Sequence, residues 1–283
     1  MSYLYYSVPL LVFHYAQSSM WFQAKTCQTD LHDNLIFNGP RAGINFNDGF
    51  GGGTNVTRNL IYNQCRESGD HGPINSWDRT AYISKVFDGT PSYKAATNNV
   101  NKNFIIANYG SSQGFDTDDG SSWYDIHDNF FFMADAWKMD YGGHDSSFRS
   151  NIIYHGHNDG QNCVNTWPFL AGHGANWSDN KCILPKSTNL GNPMGGCDCP
   201  GSLSPSAPSW HPGMNDPGGE CGVSFANNEY YTMNGTASMN CNGKPSWADW
   251  TGKHGNDAGS TLGGLPSDDQ LIEWARAKLD IPK

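Results

Sequence analysis

The stretch Asp128-Asn129-Phe130-Phe131-Phe132 decides the fold, because it is one copy of a pattern that recurs through the chain. A polar residue, an Asn and three large apolar residues stand again at Asn34-Leu-Ile-Phe37, Asn59-Leu-Ile-Tyr62, Asn103-Phe-Ile-Ile106 and Asn151-Ile-Ile-Tyr154. Degraded copies follow at Asn180-Lys-Cys-Ile-Leu184 and Asn228-Glu-Tyr-Tyr231. The successive spacings are 25, 44, 26, 22, 29 and 48 residues. Each apolar triplet reads as a short β-strand, and a period in the low twenties with polar turns reads as a solenoid of parallel strands. Leucine-rich repeats share the period but need far more Leu. The sequence therefore predicts an all-β chain: a right-handed, single-stranded parallel β-helix in which the Asn side chains stack as a hydrogen-bonded ladder.

The two long spacings mark excursions. One falls around Ala81 to Asn99, and the other holds the Gly/Pro/Cys-rich stretch Pro185 to Cys221. The expected organisation is β-helix coils over residues 1–184, an insertion loop over 185–222, and final coils with a capping helix over 223–283. The helix is read from Ser267 to Leu279, where Leu271, Ile272, Trp274, Ala275 and Leu279 recur at helical spacing behind a Ser/Asp cap. It is expected to cover an end or a side of the solenoid.

Composition narrows the function. A formal charge of −10 argues against nucleic acid or an anionic membrane as partner. Six of the eight Cys lie between Cys163 and Cys241, and glycosylation sequons occur at Asn55, Asn176 and Asn234. Both features fit an oxidising, extracytoplasmic setting with disulfides. The apolar run Val8–Phe13 is too short to span a bilayer and lacks the flanks of a signal peptide, which leaves as an alternative a chain that begins partway through a larger protein or comes from an incomplete gene model. A monomer is expected.

Acids and aromatics cluster at similar offsets after the ladder asparagines. Asp48 lies 14 residues after Asn34, Asp118 and Asp119 lie 15 and 16 after Asn103, and His144 lies 15 after Asn129. Asp70 and His71 come 11 and 12 after Asn59, in a loop that also carries Glu67, Trp77, Asp78 and Arg79. If equal offsets stack, these groups share one face of the solenoid. Paired carboxyl groups about 5–10 Å apart are what glycoside hydrolysis needs, and crowding raises one of their pKa values to make a general acid. Asp70, Asp78 and Asp119 are the candidate acids, and Asp48 and Asp118 the candidate bases or nucleophiles. His71 and His144 are placed to orient them. Glu67, Arg79 and Lys138 are candidate contacts to ring substituents, and Trp77 and Trp123 are candidate stacking platforms. Asp116 and Asp118 also read as a calcium pair, and His155, His157 and Asp159 as a weaker metal set. No other cofactor is expected.

The blocks Gly39-Pro-Arg-Ala-Gly-Ile-Asn-Phe-Asn-Asp-Gly49, Asp70-His-Gly-Pro-Ile-Asn-Ser-Trp-Asp-Arg79, Asp118-Asp-Gly-Ser-Ser122 and Lys138-Met-Asp-Tyr-Gly-Gly-His144 resemble carbohydrate-active β-helix proteins of the pectin-lyase-like superfamily. The likeness covers His14 to Cys182, about 60% of the chain. It implies the β-helix fold and a polysaccharide or oligosaccharide substrate. Asp118-Asp119 and Gly143-His144 echo two blocks of the polygalacturonase branch, but its Asn-Thr-Asp block is missing. The lyase and epimerase branches imply instead that Arg79 or Lys138 abstracts a proton beside calcium-binding acids. The expected function is a secreted glycoside hydrolase, with a uronic-acid lyase or epimerase, or a non-catalytic carbohydrate-binding solenoid, as alternatives.

Overall fold

A computed structural model describes residues 19–24, 26–47, 52–77, 96–107, 109, 111, 113–139, 143–156, 162–166, 174–193, 223–240, 244–253 and 255–282. Three parallel sheets run along the molecule: sheet A from Trp21–Gln23 to Ser238–Met239, sheet B from Asp30–His32 to Val223–Ala226, and sheet C from Leu35–Phe37 to Thr261–Gly264. In each sheet a strand pairs with the equivalent strand one coil away. The chain visits A, B and C in turn, which is the parallel β-helix expected from the repeat.

The corner from sheet B to sheet C explains the repeated Asn. It is two residues long, and the first of them sits in the left-handed region in every coil: Asp33, Arg58, Lys102, Asp128, Ser150, Asp179 and Asn227 all have φ between 53° and 57°. Holding an L residue there costs about 1 kcal/mol, and the Asn that follows offsets it. Asn129 donates from Nδ2 to Asn151 Oδ1 at 3.1 Å and to the Val100 and His127 carbonyls at 2.9 and 3.0 Å. Its Oδ1 accepts from the backbone N and Nδ2 of Asn103, both at 2.9 Å. The same arrangement links Asn34, Asn59, Asn103, Asn151, Asn180 and Asn228. At the last rung Asp257 takes over, accepting from Asn228 Nδ2, Tyr230 Oη, Trp250 Nε1 and Ser260 Oγ.

Between the sheets lies one core. Aromatic rings stack through it along the coil axis, with Phe148 5.7 Å from Trp137 and 4.7 Å from Trp177. A disulfide joins Cys163 and Cys182, while Cys27 and Cys65 are free thiols. The other four cysteines lie outside the described residues. The stretch read as an insertion from residue 185 opens with a further sheet A strand, Asn189–Pro193. The C-terminal helix, Asp268–Lys278, is capped by Ser267 Oγ and lies along the side of the solenoid, on the outer face of sheet C. Leu271 and Ala275 bury against Phe130, Ile152 and Ile183. No described helix is long and apolar enough to cross a membrane.

Candidate active site on the outer face of sheet A

Strand alternation builds the site. In sheet A, Ile44, Phe46, Ile74, Phe115, Trp137, Met139 and Val164 point into the core. The residues between them face outward and fall in one register column: Asn45, Asn75, Asp116, Lys138 and Asn165. Asn45, Asn75, Asp116 and Lys138 are nevertheless buried. Polar and charged groups without solvent need partners, and the column supplies most of them. Asn45 donates from Nδ2 to Asn47 Oδ1 at 3.1 Å, and Asn75 donates from Nδ2 to Asn45 Oδ1 at 2.7 Å. One rung on, Lys138 Nζ lies 3.1 Å from Asp116 Oδ1 and 2.9 Å from Asp118 Oδ1.

Asp118 is two residues further along its strand, outward and beside Trp77 of the neighbouring coil. Its side chain keeps 20% of its surface in solvent, whereas that of Asp116 keeps none. Burial pushes the Asp116 carboxyl up to about 7, with Asp118 and Asp70 adding to the rise and Lys138 opposing it. Lys138 holds its ammonium between the two carboxylates, in the place a calcium ion would need. Among the described residues no group of three or more His, Cys, Asp or Glu is arranged to hold a metal. At Asp116 and Asp118, the pair read as calcium ligands, the structure shows an ion-paired lysine.

A second group lines the corner that leads into this face. Arg41 donates from Nε to His71 Nδ1 at 3.3 Å, and its guanidinium lies 5.9 Å from the centroid of the Trp77 ring. Burial, reinforced by the Arg41 charge, brings the His71 imidazole down to about 4, so the ring is neutral near pH 7. Cys65 donates its thiol to the His71 carbonyl at 3.4 Å, and burial pushes that thiol up to about 12. Asp70 and Glu67 are exposed on the same corner, with Asp70 at φ 64°. The Arg66 guanidinium sits 5.6 Å from the centroid of the Tyr109 ring.

The structure thus brings Asp70, His71, Trp77, Asp118 and Lys138 to one region, and leaves His144 and Trp123 at another. His144 donates its backbone N–H to Ser122 Oγ, pairs through Nδ1 with Asp145 at 2.7 Å and packs edge-on to Trp123. That is the corner from sheet A to sheet B, so His144 stacks on Ser122 and not on Asp118. Asp119 begins the same corner, half-buried with φ 42°. Equal offsets from the ladder Asn fail because the corner from sheet C to sheet A varies in length. Counted from that Asn, the column residues come at 11 (Asn45), 16 (Asn75), 13 (Asp116), 9 (Lys138) and 14 (Asn165). Asp48, Asp78 and Arg79, and likewise His157 and Asp159, lie outside the described residues. The buried His155 instead pairs through Nε2 with Asp135 Oδ1 at 2.6 Å.

Sequence reasoning did not single out Arg41, Asn45 or Asn75, and it gave Asp116 only a calcium role. A usable signal was present: a small residue or Pro, a large apolar residue and a polar one recur as Gly43-Ile-Asn45, Pro73-Ile-Asn75, Gly114-Phe-Asp116, Ala136-Trp-Lys138 and Cys163-Val-Asn165. The small residue has a physical cause at Gly114, where a Cβ would sit 2.4 Å from the Phe131 ring and 2.7 Å from the Asp135 carbonyl. No family model, curated protein or solved structure matches the chain.

Proposed function

We propose that the outer face of sheet A is the active centre of a secreted glycoside hydrolase acting on a polysaccharide, within the pectin-lyase-like group that the sequence resembles. The observation that carries this reading is the Asp116–Lys138–Asp118 cluster. Two carboxyl groups share one ammonium, and the two contact distances cap the separation of the contacting oxygens at 6.0 Å. That spacing suits retention, where carboxyls stand about 5–5.5 Å apart, better than inversion, which needs about 6.5–9.5 Å. Their environments differ as the chemistry requires. Asp116, protonated up to about pH 7, is the acid for the leaving oxygen, and the solvent-reaching Asp118 is the nucleophile.

Lys138 keeps the pair together, and its flexible stem lets the ammonium move off when sugar hydroxyls arrive. Trp77, half-buried beside Asp118 with Arg41 against its ring, offers a face for a pyranose. A lyase reading is weaker: a proton-abstracting lysine must be neutral, and the Lys138 ammonium is ion-paired with Asp118.

The test is to incubate the protein with a panel of neutral and acidic plant, algal and microbial polysaccharides and measure new reducing ends, with Asp118→Asn as control. New reducing ends that vanish in the variant support the reading. Unsaturated products would make the protein a lyase, and binding without turnover in every case would make it a carbohydrate-binding solenoid.

A further inference from the structure

Among the buried polar atoms of the sheet A column, one is unsatisfied on the side that faces the acid. Asn75 is 1% exposed, and its Oδ1 has no hydrogen-bond partner. The orientation of its amide is fixed from the other side, because Nδ2 donates to Asn45 Oδ1 and Asn45 in turn donates to Asn47. Two hydrogen bonds cross between rungs, and both donate backward: Asn75 to Asn45, and Lys138 to Asp116, while Asn45 donates along its own strand to Asn47. The rung after Asn75 is Asp116, its register partner on the same face, about 4.8 Å away along the sheet. An ionised aspartate has only acceptors to offer. Two buried acceptors would then face each other, each without a donor between them, at a cost native interiors avoid.

We propose that Asp116 carries a proton which it donates to Asn75 Oδ1, making Asn75 the positioning residue that keeps the carboxyl of this site protonated. The column then closes: Lys138 donates to Asp116, Asp116 to Asn75, Asn75 to Asn45, and Asn45 to Asn47. The upward shift of the Asp116 carboxyl agrees with this, since a bond made only by the protonated form stabilises that form.

The charged and titratable groups around Asp116 are Lys138 on the following coil, Asp118 on its own strand, and Asp70 on the corner of the preceding coil. Cys65, on that same corner, is near enough for the Asp116 charge to raise its thiol, and Arg41 opposes the rise. Only Lys138, among those that act on Asp116, favours its ionised form, and its ammonium is shared with Asp118.

This inference deepens the hydrolase reading and takes its catalytic meaning from it, but the hydrogen bond is measurable without turnover. The experiment is a carboxyl and amide carbon NMR titration of the full chain labelled at Asp and Asn, with the Asp116 signal assigned by its loss in Asp116→Asn. The expected result is a midpoint near 7 for Asp116, an Asn75 side-chain carbonyl that shifts with the same midpoint, and a midpoint lowered by about one unit in Asn75→Leu, a tenfold loss of proton affinity. An Asp116 midpoint near the ordinary aspartate value overturns the proposal. So does an Asn75 signal that stays flat while Asp116 titrates, a result the unmodified protein gives even if Asn75→Leu does not fold. If Asp116 and Asn75 titrate together but no polysaccharide is cleaved, the hydrolase reading fails and the shared proton stands.

Discussion

Two polar columns run along this solenoid, one inside the corner between sheets B and C and one on the outer face of sheet A. Inside, the same residue recurs from Asn34 to Asn228 before Asp257 closes the column, and the central rungs are satisfied by their neighbours and by backbone carbonyls. Outside, the residue changes from Asn to Asp to Lys, a carboxyl is buried with its proton retained to about pH 7, and one amide oxygen is left over. Repetition of one side chain solves a backbone problem, here the left-handed residue at each corner. Variation at a repeated position, with buried charge, marks a place where structure alone has no reason for the choice.

That contrast can be tested by breaking each column separately. The largest effect is expected from Asp118→Asn, which removes the proposed nucleophile: turnover per folded molecule should fall by about 10²–10⁴-fold. Next comes the pH dependence of stability that Asp116 imposes. Its folded-state pKa lies above the ordinary aspartate value of 3.8, at about 7, so its stabilising contribution is complete at acid pH and is lost as pH rises through that interval. Relative to Asp116→Asn, the native protein should lose on the order of 4 kcal/mol between pH 4 and pH 8, followed by urea melts at a series of pH values.

Asn129→Ala attacks the inner column instead. It removes three donated and two accepted hydrogen bonds at a fully buried site, and should cost about 3 kcal/mol in urea unfolding. The smallest effect is expected at the helix clamp, where Lys278 Nζ lies 2.9 Å from Asp128 Oδ1 with both side chains partly exposed. Lys278→Ala should cost less than about 1 kcal/mol and leave the sheets intact by circular dichroism.

The inner column was fully legible in the sequence, from Asn34 to Asn228, because a two-residue corner admits one solution and the apolar triplet after it never moves out of register. The C-terminal helix was legible for a similar reason, its apolar stripe being local. The outer column was not. Its residues differ in kind, and the corner feeding sheet A varies in length, so Asp118 and His144, at the same offset from their ladder asparagines, end up at different places in the coil, Asp118 on a sheet A strand and His144 in a corner from sheet A to sheet B. Lys138 was noted as a sugar contact, yet its placement against Asp116 and Asp118 depends on register, which only pairing of Asp116 with Lys138 reveals. Burial of Asp116 was equally hidden, since an Asp in Asp-Thr-Asp-Asp-Gly reads as a calcium ligand until strand pairing sets it in the buried column beside Lys138.

The most direct test of the division between the columns is the rate of reducing-end release per folded molecule, measured side by side for the native protein, Asp118→Asn and Asn129→Ala on a polysaccharide the native protein cleaves. Near-complete loss in Asp118→Asn with a native rate per folded molecule in Asn129→Ala is the predicted result. An Asp118→Asn protein that keeps its rate, or an Asn129→Ala protein that loses as much as Asp118→Asn, would contradict it.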